Sequence, residues 1–290
     1  MEYLFDNCGF DRLNELIGLT RAESEDVLWG FDFDGTLAPI VGDPAEARMS
    51  AENIKFLKEW SERARVVVVS GRSLSDLRGR LSIDTVGVIG NHGWEGAGVS
   101  QGLLSEAQAT CLRWKQSWDA WRREPEQIRA FSNELRGVLL EDKGYSLSLH
   151  YRNARDPHRA EVLLREWLSL LRSKPKVVRG HSVFNLLLDA PVDKGTAFAN
   201  LIGERAASVD PKQISGGMTL RSFYIGDDDT DEFVFRLRGF DLTSVRVGIS
   251  PDSQAEFYLN SQAEVGVLLR FLTSGGVLGR ETGDLRTGEP

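Results

Sequence analysis

The sequence predicts an α/β protein built on a doubly wound parallel sheet, with a second α/β domain inserted into it. Three apolar stretches that each end in polar residues predict the sheet: VLWGFD (27–32), RVVVVSGR (65–72) and SFYIGDD (222–228). Helical patterns separate such stretches along the chain, which is the rhythm of a doubly wound sheet. Continuous β-branched runs are typical of central strands that are buried on both faces.

A change of rhythm predicts the inserted domain. The alternation stops near residue 103 and resumes near 190, so we predict a core domain over 1–103 and 190–273 and an inserted domain over 104–189. Inside the insertion, the patterns predict two helices over 104–140, a strand over 145–152, a helix over 157–172, and strands over 176–179 and 183–188.

Further patterns complete this prediction. Trp114, Trp118 and Trp121 recur at helical spacing, which is more typical of a packed core than of a sugar-stacking platform. In the core domain, residues 1–20 and 50–63 read as helices, and Asp193 is placed to cap the helix that follows it. The Gly-rich, charged tail over 274–290 is predicted to be disordered.

Composition excludes several classes of protein. The chain has 290 residues and a net charge of −8, which argues against a nucleic-acid or acidic-membrane partner. Two cysteines, Cys8 and Cys111, cannot form a disulfide scaffold. The first residues lack a signal-peptide pattern, and no apolar run approaches the roughly 18 residues of a membrane span. We therefore predict a cytoplasmic monomer whose partner is a small molecule.

The strand ends carry the residues capable of chemistry. Ligands of open α/β sheets bind beyond the carboxyl ends of the strands. There the sequence has DFDGT (32–36), SGR (70–72) and GDDDTD (226–231), and Lys194 opens the helix after the insertion. Each signal alone is weak: Asp-x-Asp also holds metals in sugar-nucleotide transferases, and GDDDTD could be a calcium-like loop. Together they favour phosphoryl transfer to a carboxylate.

That chemistry assigns a role to each residue type. Asp32 is predicted to be the nucleophile, Asp34 the acid and base, and Ser70 and Lys194 the groups that neutralise the phosphate charge. Gly35 lets the loop backbone approach the phosphate. A hard cation such as Mg²⁺ prefers oxygen ligands. We expect these to come from Asp32, the Asp34 carbonyl and Asp227, with either Asp228 or Asp231 in support.

These motifs resemble those of the haloacid dehalogenase superfamily of phosphatases, over about residues 25–270. GNHGWE (90–95), EDKGYSLSLHYR (141–152) and a large insertion between Ser70 and Lys194 are similar to the trehalose-6-phosphate phosphatase family. The resemblance implies a haloacid dehalogenase-like core with a cap domain that closes over the sugar. The substrate contacts that we predict are Gly35, Thr36, Arg72, Asn91, His92, Glu141, Lys143, Arg152, His181 and Asn185.

The sequence departs from this family at one place. The family usually has a lysine and a glutamate, four residues apart, in the strand before DKG, where this chain has His181 and Asn185. The first hypothesis is therefore hydrolysis of trehalose 6-phosphate. The alternatives are the same chemistry on another glycosyl phosphate, such as glucosyl- or mannosyl-3-phosphoglycerate, or a catalytically silent sugar-phosphate sensor. A glycosyltransferase or a phosphomutase is a weaker reading.

Overall fold

The structure is a computed structural model that describes residues 1–21, 27–180, 182–208 and 221–276. Within these ranges the strands form a seven-stranded and a four-stranded sheet. The strands are β1 (Glu2–Tyr3), β2 (Val27–Phe31), β3 (Arg65–Val69), β4 (Gly87–Ile89), β5 (Leu139–Asp142), β6 (Ser146–His150), β7 (Lys176–Gly180), β8 (Val183–Leu187), β9 (Arg221–Gly226), β10 (Asp241–Val247) and β11 (Phe257–Leu259). The helices are α1 (Asn7–Arg21), α2 (Ala51–Ser61), α3 (Leu74–Leu81), α4 (Gln101–Arg122), α5 (Pro125–Ser132), α6 (Pro157–Leu170), α7 (Lys194–Ser208), α8 (Glu232–Phe235) and α9 (Ala263–Ser274).

The large sheet is parallel throughout and has the strand order β1-β11-β10-β9-β2-β3-β4. In register, Phe31 at the end of β2 lies between Val68 of β3 and Ile225 of β9. The polar residues that follow these three strands therefore meet at one edge of the sheet. The predicted doubly wound parallel sheet is confirmed.

Both faces of the large sheet are covered, as alternation along β2 requires. Trp29 and Phe31 join one buried cluster, which includes Trp60 of α2 and Leu268 of α9. Leu28 joins a second cluster on the other face, with residues of α7. Strand β2 is thus fixed by packing from two sides.

One predicted element of the core is wrong in its first residues. We predicted a helix over residues 1–20, but the chain begins with β1, which pairs with β11 at the edge of the sheet. Leu4 is fully buried just after this strand, and its N–H donates to the carbonyl of Tyr258 at 3.0 Å. This edge pairing outweighs local helix propensity until Asn7.

The four-stranded sheet is antiparallel, with the strand order β5-β6-β8-β7. We call residues 101–187, which comprise α4–α6 and β5–β8, the small-sheet unit. Its core contains the tryptophans of α4, whose exposed fractions are 1%, 1% and 4%, as their spacing predicted: Trp114, Trp118 and Trp121. Helix α4 begins at Gln101, ahead of the boundary predicted at 104, and the tail over 277–290 lies outside the described residues.

Within the described ranges, no helix is both long enough and apolar enough to cross a membrane.

Candidate active site

Asp32 follows β2 at the centre of the polar edge. Its N–H donates to the carbonyl of Ile225 at 2.8 Å, which extends the sheet pairing by one residue. The carboxylate is nearly fully buried, and its Oδ1 lies 2.9 Å from Nζ of Lys194. Burial raises the pKa of Asp32, and Lys194 opposes that effect. The Asp32 carboxylate is therefore paired with the Lys194 ammonium group and is largely shielded from water.

Gly35 brings the loop after Asp32 against the acidic loop after β9. Its φ is +81°, and an added Cβ would lie 2.1 Å from Oδ2 of Asp227. Both the backbone conformation and the close approach therefore require glycine. The consequence is that Asp32 and Asp227, 195 positions apart in the printed sequence, share one site.

Asp231 organises the acidic loop with both of its oxygens. Oδ1 accepts from Lys194 Nζ and from the Tyr224 hydroxyl, each at 2.8 Å. Oδ2 accepts the N–H groups of Asp227 and Asp228 at 3.0 and 3.1 Å. Asp231 therefore accepts hydrogen bonds from four donors. Two of these donors are backbone N–H groups of the loop, so Asp231 fixes the conformation of the loop.

Asp228 is also bound within the loop. Its Oδ1 accepts the N–H and the hydroxyl of Thr230 at 2.7 and 2.5 Å. Burial would raise its pKa, but Lys194 and these hydrogen bonds more than offset burial, so the pKa of Asp228 is lowered.

Asp227 is the member of the loop with a vacant ligand atom. Its Oδ1 is buried and has no hydrogen-bond partner. One oxygen each of Asp32, Asp227 and Asp231 lies within 4.8 Å of the others, a grouping that could hold a metal ion. Burial first, then Asp231 and Asp228, raises the pKa of Asp227 to about 8. These residues fit a hard divalent cation, which would supply the missing partner and offset the excess negative charge.

Lys194 is 2% exposed and is the first residue of α7. Asp193 accepts the N–H of Thr196 at 2.9 Å, the contact predicted for the helix cap. Burial lowers the pKa of Lys194, but Asp231 and Asp32 more than offset burial and raise it well above its usual value. The residue is therefore a fixed cation between Asp32 and the acidic loop.

Arg72 holds the side chain of Asp34. Its Nε and Nη2 donate to the two Asp34 oxygens at 2.7 and 2.6 Å, and Nη1 donates to Asp76 at 2.9 Å. Ser70 is buried two residues earlier, and its hydroxyl oxygen accepts the N–H of Arg72 at 3.2 Å. Asp34 thus faces the SGR loop and, unlike Asp32, is not paired with Lys194.

The turn Asn91–Gly93 follows β4 and has three consecutive residues with positive φ. The Asn91 amide is fully buried and contacts the small-sheet unit: Nδ2 donates to the Lys143 carbonyl at 2.9 Å, and Oδ1 accepts from the Ser146 hydroxyl. Its side chain is therefore committed to holding the two units together.

His92 is different, because it is buried and neither ring nitrogen has a hydrogen-bond partner. The ring packs on Gly71, where an added Cβ would lie 2.4 Å from Cε1. Burial, and then the charges of Lys143 and Lys194, lower the pKa of His92 to about 3. A neutral imidazole thus lies beside the SGR loop with both nitrogens available. Thr36 Oγ1 is a second buried polar atom without a partner.

Residues of the small-sheet unit reach the loops of the large sheet. Lys143 Nζ donates to the Gly71 carbonyl at 2.9 Å, and Arg152 Nη1 donates to the Val41 carbonyl at 2.6 Å. Burial lowers the pKa of Lys143, and nearby Glu141 partly offsets that effect. These contacts bring the substrate residues predicted on the two units to one interface.

Glu141 and Asn185 have partners within the small-sheet unit. Glu141 pairs with His150 Nε2 at 2.8 Å, and this bond and Lys143 outweigh burial, lowering the pKa of Glu141 to about 2. Asn185 Oδ1 accepts from the Ser148 hydroxyl at 2.7 Å, and the Asn185 side chain also lies near the His92 ring. His181 lies outside the described residues.

Two site residues were not predicted from the sequence. Tyr224 hydrogen-bonds Asp231, and alternation along β9 was the available signal, since Tyr224 and Gly226 share a face. Asp76, in the first turn of α3, holds Arg72 of the loop before that helix, and the spacing of four residues was the signal there.

Comparison with known proteins was consistent with this geometry. The family model described as trehalose-phosphatase matches residues 30–261. The trehalose-phosphate phosphatase of Mycobacterium tuberculosis is 30% identical over 210 residues, covering 72% of this chain and 50% of that protein. The Mycobacterium marinum protein of the same name is 30% identical over 244 residues, with 81% and 58% covered. The chain thus spans about half the length of these curated relatives.

Solved structures give the same fold. The trehalose-6-phosphate phosphatase of Aspergillus fumigatus has a TM-score of 0.57 and 25% identity, covering 94% of this chain and 99% of that one. A trehalose-6-phosphate phosphatase related protein has a TM-score of 0.62 and 22% identity, with 86% and 98% covered, a likeness of fold alone. The family match spans the strand ends that bear Asp32, Ser70, Lys194 and Asp227, and this chain belongs to the trehalose-phosphatase family.

Proposed function

We propose that this protein is a Mg²⁺-dependent phosphatase that hydrolyses trehalose 6-phosphate through an aspartyl-phosphate on Asp32. The observation that carries the proposal is the placement of Asp32 between Lys194, at 2.9 Å, and the unpartnered oxygen of Asp227. A nucleophile, a fixed cation and a cation-binding oxygen therefore converge on one point. The family to which the chain belongs supports the same chemistry.

The first half-reaction transfers the phosphoryl group to Asp32. An oxygen of Asp32 bonds to phosphorus while the bond from phosphorus to the sugar oxygen breaks. Asp34 donates a proton to the leaving sugar oxygen. Lys194 and Ser70 stabilise the negative charge on the phosphoryl oxygens. The sugar leaves as a neutral alcohol.

The second half-reaction releases phosphate. Asp34, now a carboxylate, takes a proton from a water molecule, which attacks phosphorus and breaks its bond to Asp32. The Arg72 fork binds both Asp34 oxygens and aims the carboxyl group toward the SGR loop. Arg72 is therefore suited to this base step, and the acid step requires Asp34 to leave the fork.

Asp32, Asp227 and the Asp34 carbonyl would hold the Mg²⁺, with Asp231 shaping the loop behind them. When bound, the ion would supply positive charge to the phosphate oxygens and offset the acidic cluster. Asp227 fits this role because its Oδ1 is buried without a partner. Asp231 fits the supporting role, rather than Asp228, because four donors already occupy its oxygens.

The small-sheet unit is proposed to act as the cap that recognises the sugar. Lys143, Glu141 and Arg152 lie at its interface with the large sheet. The amide nitrogen of Asn185 is a hydrogen-bond donor where the family usually has an acceptor. Trehalose 6-phosphate remains the favoured substrate over another glycosyl phosphate, because the named relatives act on it. The complete set of Asp32, Asp34 and Lys194 disfavours a silent sensor.

Phosphate release from a panel of sugar phosphates tests the proposal. We expect release from trehalose 6-phosphate with Mg²⁺, loss of release with EDTA, and recovery when Mg²⁺ is restored. Asp32→Asn is the matched control, since it keeps the shape of the side chain but is not a competent nucleophile. Release that continues in Asp32→Asn, or that ignores EDTA, would contradict the proposed chemistry. A preference for another glycosyl phosphate would contradict only the substrate.

A cytoplasmic location and a monomeric state are also proposed, on the sequence alone. Size-exclusion chromatography with light scattering tests the second of these, with about 32 kDa expected. A mass near twice that value would contradict a monomer.

A further inference from the structure

Arg246 lies near the end of β10, beside the acidic loop that follows β9. In register it is opposite Gly226, the last residue before Asp227. Its Nη1 donates to the carbonyl of Asp228 at 3.3 Å and to Oε1 of Glu232 at 3.0 Å. Only 12% of the side chain is exposed. A neighbouring strand thus holds the acidic loop from outside the site.

Glu232 completes this arrangement. Its second oxygen accepts the N–H of Gln254 at 2.9 Å, and 7% of its side chain is exposed. Asp228 and Glu232 each follow a residue of the metal grouping, namely Asp227 and Asp231. Through the Asp228 carbonyl and Glu232, Arg246 contacts both ends of the loop. We call the Arg246–Glu232 pair the loop clamp.

We propose that the loop clamp is a positioning device that sets the affinity of the acidic site for Mg²⁺. Oδ1 of Asp227 has no hydrogen-bond partner among the described residues, so its position depends strongly on the backbone that carries the side chain. That backbone is held by Asp231 from inside and by Arg246 from outside. Groups outside the immediate ligands commonly change metal affinity by about 10- to 100-fold.

The sign of the effect distinguishes positioning from simple electrostatics. A cation beside an acidic site opposes the binding of another cation, so removing the Arg246 charge alone would strengthen Mg²⁺ binding. Loss of positioning weakens it instead. A buried ion pair is also weak evidence for a role in stability, since its desolvation offsets much of the attraction.

The other end of β10 offers a matched control. Arg12 donates to Asp241, the first residue of β10, and to Thr243 at 2.7 Å. Like Arg246, Arg12 is a largely covered arginine in an ion pair, and 21% of its side chain is exposed. The contacts of Arg12 with Asp241 and Thr243 lie at the opposite end of the strand from the acidic loop.

The experiment measures Mg²⁺ binding to Arg246→Gln, Arg246→Lys and Arg12→Gln without substrate. The rise in Tm with Mg²⁺ concentration gives a Kd for each full-length protein. We expect Arg246→Gln to weaken binding about tenfold or more. Arg246→Lys keeps the charge, but its side chain ends short of Nη1, so we expect weaker binding there too. Arg12→Gln should lower Tm without changing the Kd.

Activity provides a second measurement. Both Arg246 variants should keep the wild-type KM for substrate and most of the kcat once Mg²⁺ is saturating. Tighter or unchanged Mg²⁺ binding in Arg246→Gln, or wild-type binding in Arg246→Lys, would overturn the proposal. If Arg246→Gln does not fold, the Kd of Arg246→Lys for Mg²⁺ tests the proposal by itself.

The inference rests on the proposed Mg²⁺ site, and the two can fail separately. If the Tm of the wild-type protein does not respond to Mg²⁺, the proposed Mg²⁺ site is wrong. If the Tm values of the wild-type protein and of the Arg246 variants respond equally, only the proposed role of the loop clamp is wrong.

Discussion

In the proposed mechanism, Asp34 carries a proton in one half-reaction and lacks it in the next. Arg72 binds both of its carboxyl oxygens, so the side chain is held in the direction suited to a base. Asp76 holds Arg72 in turn. The acid step therefore begins with the exchange of this ion pair for the leaving sugar oxygen.

We predict that Asp34→Asn slows both half-reactions, because an amide neither gives nor takes a proton at this step. General acid–base catalysis commonly contributes about 10²- to 10⁴-fold, which is the expected loss of kcat. Rapid-quench measurement of the phosphoenzyme would show slower formation and slower decay. Unchanged turnover in this variant would remove Asp34 from the mechanism, and unchanged decay alone would limit its role to the acid step.

His92 should make the protein sensitive to acid. Its pKa is about 3 in the folded protein and 6.5 in an ordinary setting. Between these values the unfolded chain binds a proton that the folded chain does not, so stability falls as pH falls below 6.5. Lys143, Lys194 and Asp228 are the charged groups that act on the ring.

The measurement is the free energy of unfolding in urea at pH 7 and at pH 5. We expect wild type to lose about 2 kcal/mol more between these values than His92→Gln does. His158→Gln, at an exposed position on α6, is the matched control and should behave as wild type. Equal losses in wild type and His92→Gln would show that His92 does not have a lowered pKa.

At the scale of elements, the turn Asn91–Gly93 packs against the start of α7. Gly93 has φ +104°, and an added Cβ would lie 2.6 Å from the carbonyl oxygen of Asp193. Asp193 caps the helix whose first residue is Lys194. Packing of the turn against Asp193 therefore fixes the position of the α7 N-terminus, and with it the position of Lys194.

We predict that Gly93→Ala lowers both stability and kcat. The left-handed backbone alone costs about 1–2 kcal/mol for alanine, and the clash displaces the cap of α7. Gly239→Ala is the control, because Gly239 has φ +83° with nothing within 4 Å of an added Cβ. It should lose stability with kcat unchanged, and an equal loss of kcat in both variants would contradict the role of the turn.

Some elements and site residues could be predicted from the sequence, and others could not. Parallel pairing brings strand ends together, so Asp32, Ser70 and Asp227 were predictable as neighbours. Strand β5 was not, because its residues LLED lack β-branched side chains and Leu139 is 60% exposed. It forms because β6 offers it a partner edge.

The side-chain contacts of the site were harder to predict than its location. The fork between Arg72 and Asp34 depends on rotamers chosen across two loops. Asn91 is predicted to contact substrate, and its amide hydrogen bonds to the Lys143 carbonyl and the Ser146 hydroxyl were not predicted. Such choices depend on three-dimensional neighbours, which periodicity does not encode.

At the scale of the whole molecule, the described contacts between the two units combine hydrogen bonds with an apolar cluster in which Trp94 packs with Ala107 and Leu187. Asn91, Lys143 and Arg152 supply hydrogen bonds across the interface. Hydrogen bonds across the interface can exchange with water, so we expect the small-sheet unit to move relative to the large sheet. Glycines with positive φ at Gly96 and Gly98 lie in the connection before α4.

We predict that substrate makes the molecule more compact on average. Small-angle scattering of Asp32→Asn, which binds substrate without turnover, should show a smaller radius of gyration with trehalose 6-phosphate than without it. Inorganic sulfate at equal ionic strength is the control and should leave the radius unchanged, since it offers no sugar to the small-sheet unit. Identical curves at saturating substrate would contradict the motion.

The order in which the chain is made gives the strand order of the large sheet a further consequence. Strand β2 has β3 on one side, and its other neighbour, β9, is synthesised only after the whole small-sheet unit. Until then, the nascent chain presents an unpaired edge of a strand whose five residues are all buried in the finished protein. Such an edge is a template for pairing with another chain. We expect a truncated chain that ends at residue 190 to aggregate on expression. The exposed edge of β2, the strand that precedes Asp32, is the expected cause.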